Sequence, residues 1–448
     1  MNVTKDSTIN IFFKYSIPAI FGMLAVSSAN IIDGFFIGNY VGDVGLAAVN
    51  ITFPVFSLLF GFSLMLAVGS SVTTGKFLGE ENINLASTIF TKTLVAVSLL
   101  SFFISFIIWL NIDTILRLFG ANESLLIFAK EYLTIILLFV PFLMIGIVLD
   151  YFVRVDNRPN LAFIAMFSSA LVNAVLDYYF IVVLQKGLFG AALATGISWL
   201  FLIIVLLPHV FSKKASLKFV KPSGSYKDIL KAAYNGASEF ANELSIGVTT
   251  LIANYVVIKN FQVEGLAAFA VIEYALIIGI MISFAISDSL GPIISKNFGA
   301  KKDDRIKEFL KLAFISTTFV GLFMIALLLL APSTLAELFL DDSSVRAKEL
   351  ILYFSMFIWA VFIFDGPNMV ISSYLTSVHK PLASMVVALS RSFVLPVLFL
   401  LTLPIFFGTT GILISAPLAE AITFIIALVL FKKFSPKNVI KKRIKIKE

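Results

Sequence analysis

The chain has 448 residues, 59% of them hydrophobic and only 14% charged, and its mean hydropathy is +1.00. A soluble domain of this length has no use for so much apolar surface, so the composition describes an all-α polytopic membrane protein. The absence of cysteine excludes disulfides, thiol catalysis and cysteine metal sites, and two histidines, His209 and His379, are too few for a histidine zinc centre.

Hydropathy marks twelve spans, at 11–38, 46–74, 87–110, 125–152, 161–184 and 187–211, then 227–257, 266–294, 307–330, 345–375, 382–404 and 410–432. The opening MNVTKDSTINIFFKYSIPAI lacks a small-residue cleavage site and runs into a full-length span, so it reads as the first helix rather than a cleaved signal. With the N-terminus inside, Arg117, Lys130, Lys186, Lys259, Arg346 and Lys348 fall outside and Arg391 falls within a span, which leaves 27 of the 34 basic residues on the cytoplasmic side. The positive-inside rule then places both termini in the cytoplasm. The +7 net charge is explained by this asymmetry and points to no nucleic-acid partner.

In the first span Pro18 breaks the backbone ladder and is a candidate bending point. Further along the same span lies Asp33. The fifth span, LAFIAMFSSALVNAVLDYYFIVVL, carries Asn173 and, one turn later on the same face, Asp177. A carboxylate at membrane depth costs on the order of 2.5 kcal/mol or more unless offset, so Asp177 needs a cation, a proton or a basic partner. A structural hydrogen bond between helices is the alternative. Counted from the outer span ends, Asp33, Asp177 and Thr195 fall within about one helical turn of the same depth, with Asn173 one turn deeper. Two carboxylates, an amide and a hydroxyl form an all-oxygen set suited to sodium or to a shared proton.

The stretch Ser212–Lys231 holds six lysines around Pro222 and Gly224, and Lys432–Glu448 holds eight lysines or arginines. Both suit anionic lipid, and both also serve simply to set topology. Beyond the first stretch, Glu239 and Glu243 stand one turn apart, followed by Glu273, Asp365, Arg391 and Glu420. Arg391 and Glu420 share middle depth and read as a structural ion pair. Glu239, Glu243, Glu273 and Asp365 outnumber the one arginine, so some are expected to face water and bind a cationic, lipophilic substrate, helped by an abundance of phenylalanine.

The chain repeats itself. Gly75–Gly79 resembles Ser295–Gly299, Leu118-Phe119 matches Leu338-Phe339, Ala129-Lys130-Glu131 matches Ala347-Lys348-Glu349, Arg158-Pro159 matches Lys380-Pro381, and Gly190 matches Gly411. Six spans per half make a parallel repeat, related by a pseudo-two-fold axis along the membrane normal. The expected domains are a six-helix lobe (1–211), a cytoplasmic linker (212–226), a second six-helix lobe (227–432) and a basic tail (433–448). Two such lobes leave a cleft, the architecture of alternating access.

The segments DGFFIGNYVGDVGLAAVNITFPV (33–55), GFSLMLAVGSSVTTGKFLGEEN (61–82), VRVDNRPNLA (153–162) and NGASEFANELS (235–245) resemble the multidrug and toxic compound extrusion (MATE) family, in particular its bacterial MepA-like branch. The resemblance implies a cation-coupled efflux antiporter, acting as a monomer in the bacterial cytoplasmic (inner) membrane, with no cofactor beyond the coupling H+ or Na+. It implies that Asp33, Asn173, Asp177 and Thr195 hold the coupling ion and that Pro18 is the bending proline of span one. Glu243 and Asp365 are the nearest matches to a second acidic site found in other branches, Glu239 is an alternative, and Glu273 fits no family pattern. A lipid-linked precursor flippase is the competing function, but such proteins line the cavity with cations, and here Arg391 is the single deep one. No HExxH, GxSxG, P-loop or CxxC is present to carry a known covalent or metal chemistry.

Overall fold

A backbone inside a bilayer must satisfy its own hydrogen bonds, and a chain this apolar does so by forming helices. The computed structural model describes residues 2–340 and 344–445. The first half runs α1 (Thr8–Tyr40), α2 (Asp43–Gly79), α3 (Ile83–Leu110), the short α4 (Ile112–Leu118), α5 (Glu123–Val155), α6 (Pro159–Asp177), a π-helical segment (Tyr178–Val183) and α7 (Gly187–Phe211). The second runs α8 (Lys227–Asn235), α9 (Ala237–Asp288), α10 (Leu290–Gly299), α11 (Asp303–Leu330), α12 (Pro332–Phe339), α13 (Val345–Ile358), α14 (Val361–Ser377), α15 (Pro381–Leu389), a second π segment (Ser390–Val394), α16 (Leu395–Lys433) and α17 (Pro436–Lys445).

Among the described residues, nine helical stretches are long and apolar enough to cross a membrane. Two of these, Ala237–Gly299 and Pro381–Ile444, have 63 and 64 residues, far beyond the roughly 20 that one crossing takes. Each is interrupted by a left-handed residue, Gln262 (φ 62°) and Gly408 (φ 56°). Divided there, and with α13 and α14 counted as one span bent by 53°, they complete the twelve spans read from hydropathy.

The turns carry the internal repeat more plainly than the helices do. Left-handed residues recur in pairs about 220 positions apart: Gly42 with Gln262, Glu81 with Lys301, Asn157 with His379 and Gly187 with Gly408. An L-residue in that conformation is disfavoured by roughly 1–2 kcal/mol, so its recurrence at matched places reflects one helix–turn plan used twice. The helices after two matched turns also begin alike, with Pro159 and Pro381 in the first turn, where a missing N–H costs nothing.

The described chain forms two compact units, one of Met1–Val3 with Phe13–Phe240 and one of Thr4–Phe12 with Ala241–Glu448. In the first, α5 is enclosed by α2, α3, α6 and α7 and buries Leu133, Ile136, Val140, Met144 and Val148 completely. In the second, α14 takes the corresponding place among α10, α11, α15 and α16.

Residues 212–226 are laid along the first unit. The N–H groups of Ser216, Lys218 and Val220 donate to Asp156, Ser87 and Thr91 at 3.1, 3.4 and 3.1 Å. Lys92, with a fully buried side chain, donates to the Ser225 carbonyl at 2.9 Å and lies 3.7 Å from Asp228. Helix α8 then meets α2 backbone to backbone. A Cβ on Gly69 would stand 1.9 Å from the Ala232 carbonyl oxygen, and one on Gly236 would stand 2.1 Å from that of Met65. Backbone cannot yield as a side-chain tip can, so Gly69→Ala and Gly236→Ala are each expected to destabilise the protein by about 1–3 kcal/mol. Thermal unfolding of the purified protein measures this. Gly247→Ala, where nothing lies within 4 Å, is the neutral comparison.

Candidate ion-coupling site

The first unit gathers polar side chains from four of its helices. Helix α6 presents Asn173 and Asp177 on one face, 7% and 0% exposed. A hydrogen bond from Ser169 Oγ to the Ser198 carbonyl, 2.7 Å, ties α6 to α7, the helix that carries Thr195. The half-buried Asp33 arrives from α1. The carboxyl groups of Asp33 and Asp177 approach closely enough to interact directly. Helix α5 contributes a group that the sequence reading passed over: the phenol of Tyr132, 3% exposed, meets the Thr195 side chain and feels the charges of both aspartates.

What is missing at this site matters more than what is present. Asp33 Oδ1, both carboxylate oxygens of Asp177 and Asn173 Nδ2 are buried with no hydrogen-bond partner among the described residues. Two ionised carboxylates have no donor between them, so their contact becomes a hydrogen bond only when one carries a proton. Buried polar atoms in folded proteins are almost always satisfied, and a group of four orphans in one place marks a position for a ligand. The oxygens of Asp33, Asp177, Asn173, Thr195 and Tyr132 make a donor set that fits a proton or a hard cation such as sodium. The π segment begins directly after Asp177, and such irregular turns concentrate at functional positions. Helix α1 remains helical through Pro18 and is the least enclosed of the membrane-crossing stretches.

The second unit pairs three of its deep charges with one another. Arg391, within its π segment, donates from one terminal guanidinium nitrogen to Asp365 Oδ1 at 2.6 Å and from Nε to Glu420 Oε1 at 2.9 Å. Asn368 Nδ2 donates to Glu420 Oε2 at 2.7 Å. Asp365, read from the sequence with the substrate acids, is therefore held by the arginine, on the face of α14 that also carries Asn368. Glu243 and Glu273 are partly buried, and among the described residues no hydrogen bond or ion pair joins either to Asp365. Glu239 lies in the first unit, one turn before Glu243 on the same helix.

Comparison with known proteins places this architecture. The MatE family model matches residues 18–179 and 240–402, so the chain belongs to the MatE family, and it has the fold of that family's multi-pass membrane transporters. The multidrug export protein MepA of Staphylococcus haemolyticus (strain JCSC1435) is 24% identical over 428 residues, covering 95% of this chain and 93% of that one. An outward-facing multidrug resistance MATE transporter of the MOP superfamily superposes with a TM-score of 0.91 at 21% identity, covering 98% of each chain. A MOP superfamily transporter from Pyrococcus furiosus, described as having a binding pocket of reversed polarity, gives 0.88 at 22% identity over 98% of this chain and 97% of that one. The resemblance seen in the sequence and the twelve-span, two-lobe fold class are both borne out.

Removing Arg391 would leave two buried carboxylates facing each other. Arg391→Ala is expected to cost about 3–5 kcal/mol and to lower the yield of folded protein. Arg391→Met combined with Asp365→Asn and Glu420→Gln, which removes all three charges together, is expected to recover most of that loss in the same unfolding assay.

Proposed function

We propose that the protein is a secondary active efflux antiporter that exports lipophilic organic cations in exchange for protons or sodium ions by alternating access, as a monomer in a bacterial cytoplasmic membrane with both termini in the cytoplasm. The observation that carries this reading is the buried, unpartnered carboxylate pair Asp33–Asp177. Family membership and likeness to a multidrug export protein support the export of drugs, and the surplus of deep acids supports cationic ones.

Coupling needs a site whose affinity for the ion differs between two conformations. Here two carboxylates on different helices repel each other when both are ionised and are drawn together by a cation or a shared proton. Occupancy of the site therefore acts on the separation of α1 from α6. Pro18 leaves one carbonyl of α1 without its helical donor, which lowers the cost of bending that helix. Asn173 and Thr195 supply neutral ligands, and the Tyr132 phenol both supports Thr195 and offers a donor to an ionised aspartate. Glu239, Glu243 and Glu273 are the acids proposed to attract the cationic drug. Asp365 is assigned with Arg391 and Glu420 to holding the second unit together.

The engagement of Arg391 also weighs against a flippase of lipid-linked pyrophosphates. The one deep guanidinium already faces two carboxylates and has no free charge to offer an anionic substrate.

In vesicles containing the purified protein, efflux of a fluorescent lipophilic cation is expected under an imposed pH or sodium gradient. Asp33→Asn and Asp177→Asn should each abolish the gradient-driven part, while Asn173→Ala, Thr195→Ala and Tyr132→Phe should reduce it several-fold. Wild-type rates in Asp33→Asn would remove the shared site from the mechanism.

A further inference from the structure

Beyond the proposed coupling site, the second unit ends in a basic cluster that includes none of the proposed coupling residues. Helix α17 follows the last span and buries Pro436, Val439 and Ile440, packing on α11. It is fixed at its far end by Arg443. That guanidinium lies 4.8 Å from the centre of the Phe298 ring and donates to the carbonyls of Phe298 and Gly299, the last residues of α10. A cation there also meets the negative end of the α10 dipole. The tail helix is thus a built part of the fold rather than a loose extension.

Its anchoring brings three lysines into one neighbourhood, two of them against a single ring. Lys380, in the turn between α14 and α15, lies 5.2 Å from the centre of the Phe434 ring, and Lys433 lies 5.5 Å from it. Lys442, on α17, is close enough to Lys380 to repel it, and burial together with that repulsion lowers the Lys380 pKa from its ordinary value. The carboxylate of Asp304, on the helix that α17 packs against, is engaged by Lys307, with Lys437 adding to its field. Gathering like charges around one ring is unfavourable unless an anion accompanies them. The cluster stands where the last span leaves the membrane and where two other spans turn, the level at which lipid headgroups lie.

We propose that Lys380, Lys433 and Lys442 form a binding site for the phosphate of an anionic phospholipid headgroup. Lys380 and Lys433 both lie against the Phe434 ring, Lys442 stands near Lys380, and the apolar ring offers a flank for the lipid beside them. The site makes the cytoplasmic foot of the second unit a lipid-anchored body. It is independent of the coupling reading, because it involves none of the coupling residues.

Native mass spectrometry of the full-length protein with phosphatidylglycerol and with phosphatidylcholine tests the assignment. Wild type is expected to retain phosphatidylglycerol at least about tenfold more tightly than phosphatidylcholine. The triple variant Lys380→Gln, Lys433→Gln, Lys442→Gln should lose that preference. A charge-matched control, Lys213→Gln, Lys214→Gln, Lys221→Gln, should keep it. Equal retention of the two lipids by wild type, equal loss in both triple variants, or full displacement of the lipid by millimolar inorganic phosphate would each overturn the proposal.

Discussion

An ionised side chain away from water must be answered by something, and the structure is organised around two different answers. For Asp365 and Glu420 in the second unit the answer is internal. Arg391 neutralises Asp365 and Glu420, and Asn368 satisfies the outer oxygen of the glutamate. In the first unit no fixed cation stands beside Asp33 and Asp177 among the described residues, and four polar atoms there are left without partners. A fixed arginine yields a stable joint whose charge state does not change. A carboxylate pair without a fixed cation is the arrangement on which the proposed ion exchange rests. Both arrangements sit in the same kind of helix bundle, with a π segment beside each, so the difference lies in which residue the chain places opposite its carboxylates.

The fold was legible because span length and the internal repeat are each set by strong constraints. Boundaries came out within a few residues wherever a helix ended at a polar turn, as at Gly79 and Phe211. Other features left no trace in hydropathy. The bend between α13 and α14 falls at Trp359–Ala360, inside an unbroken apolar run, and the π segment within 390–394 depends on tertiary packing around a buried arginine. The division of the chain at Phe240, within what reads as a single seventh span, likewise depends on Gly69 and Gly236 allowing α8 to lie against α2.

The candidate site was legible as a set of depths. Asp33, Asp177 and Thr195 fall at one level by counting residues, and the structure brings Asn173 and Asp177 to one buried face. Tyr132 stands about seven residues inside the predicted start of its span, the same depth as Asp177, so the count could have found it. It was passed over because a tyrosine in an aromatic-rich chain carries no charge to draw attention. The pairing of Asp365 with Arg391 was not legible for the opposite reason. The aspartate's charge was visible, but its partner Arg391 comes from another span, and one-dimensional depth does not say which side chains face each other.

The central claim is that Asp33 and Asp177 together exchange one coupling ion when substrate binds. The most direct measurement is the release of protons or sodium ions from purified wild-type protein on addition of a lipophilic cation, compared with the Asp33→Asn, Asp177→Asn double variant. The account predicts stoichiometric release from wild type and none from the double variant, with substrate still bound through the acids on α9. Release of the same number of ions from both proteins would contradict it.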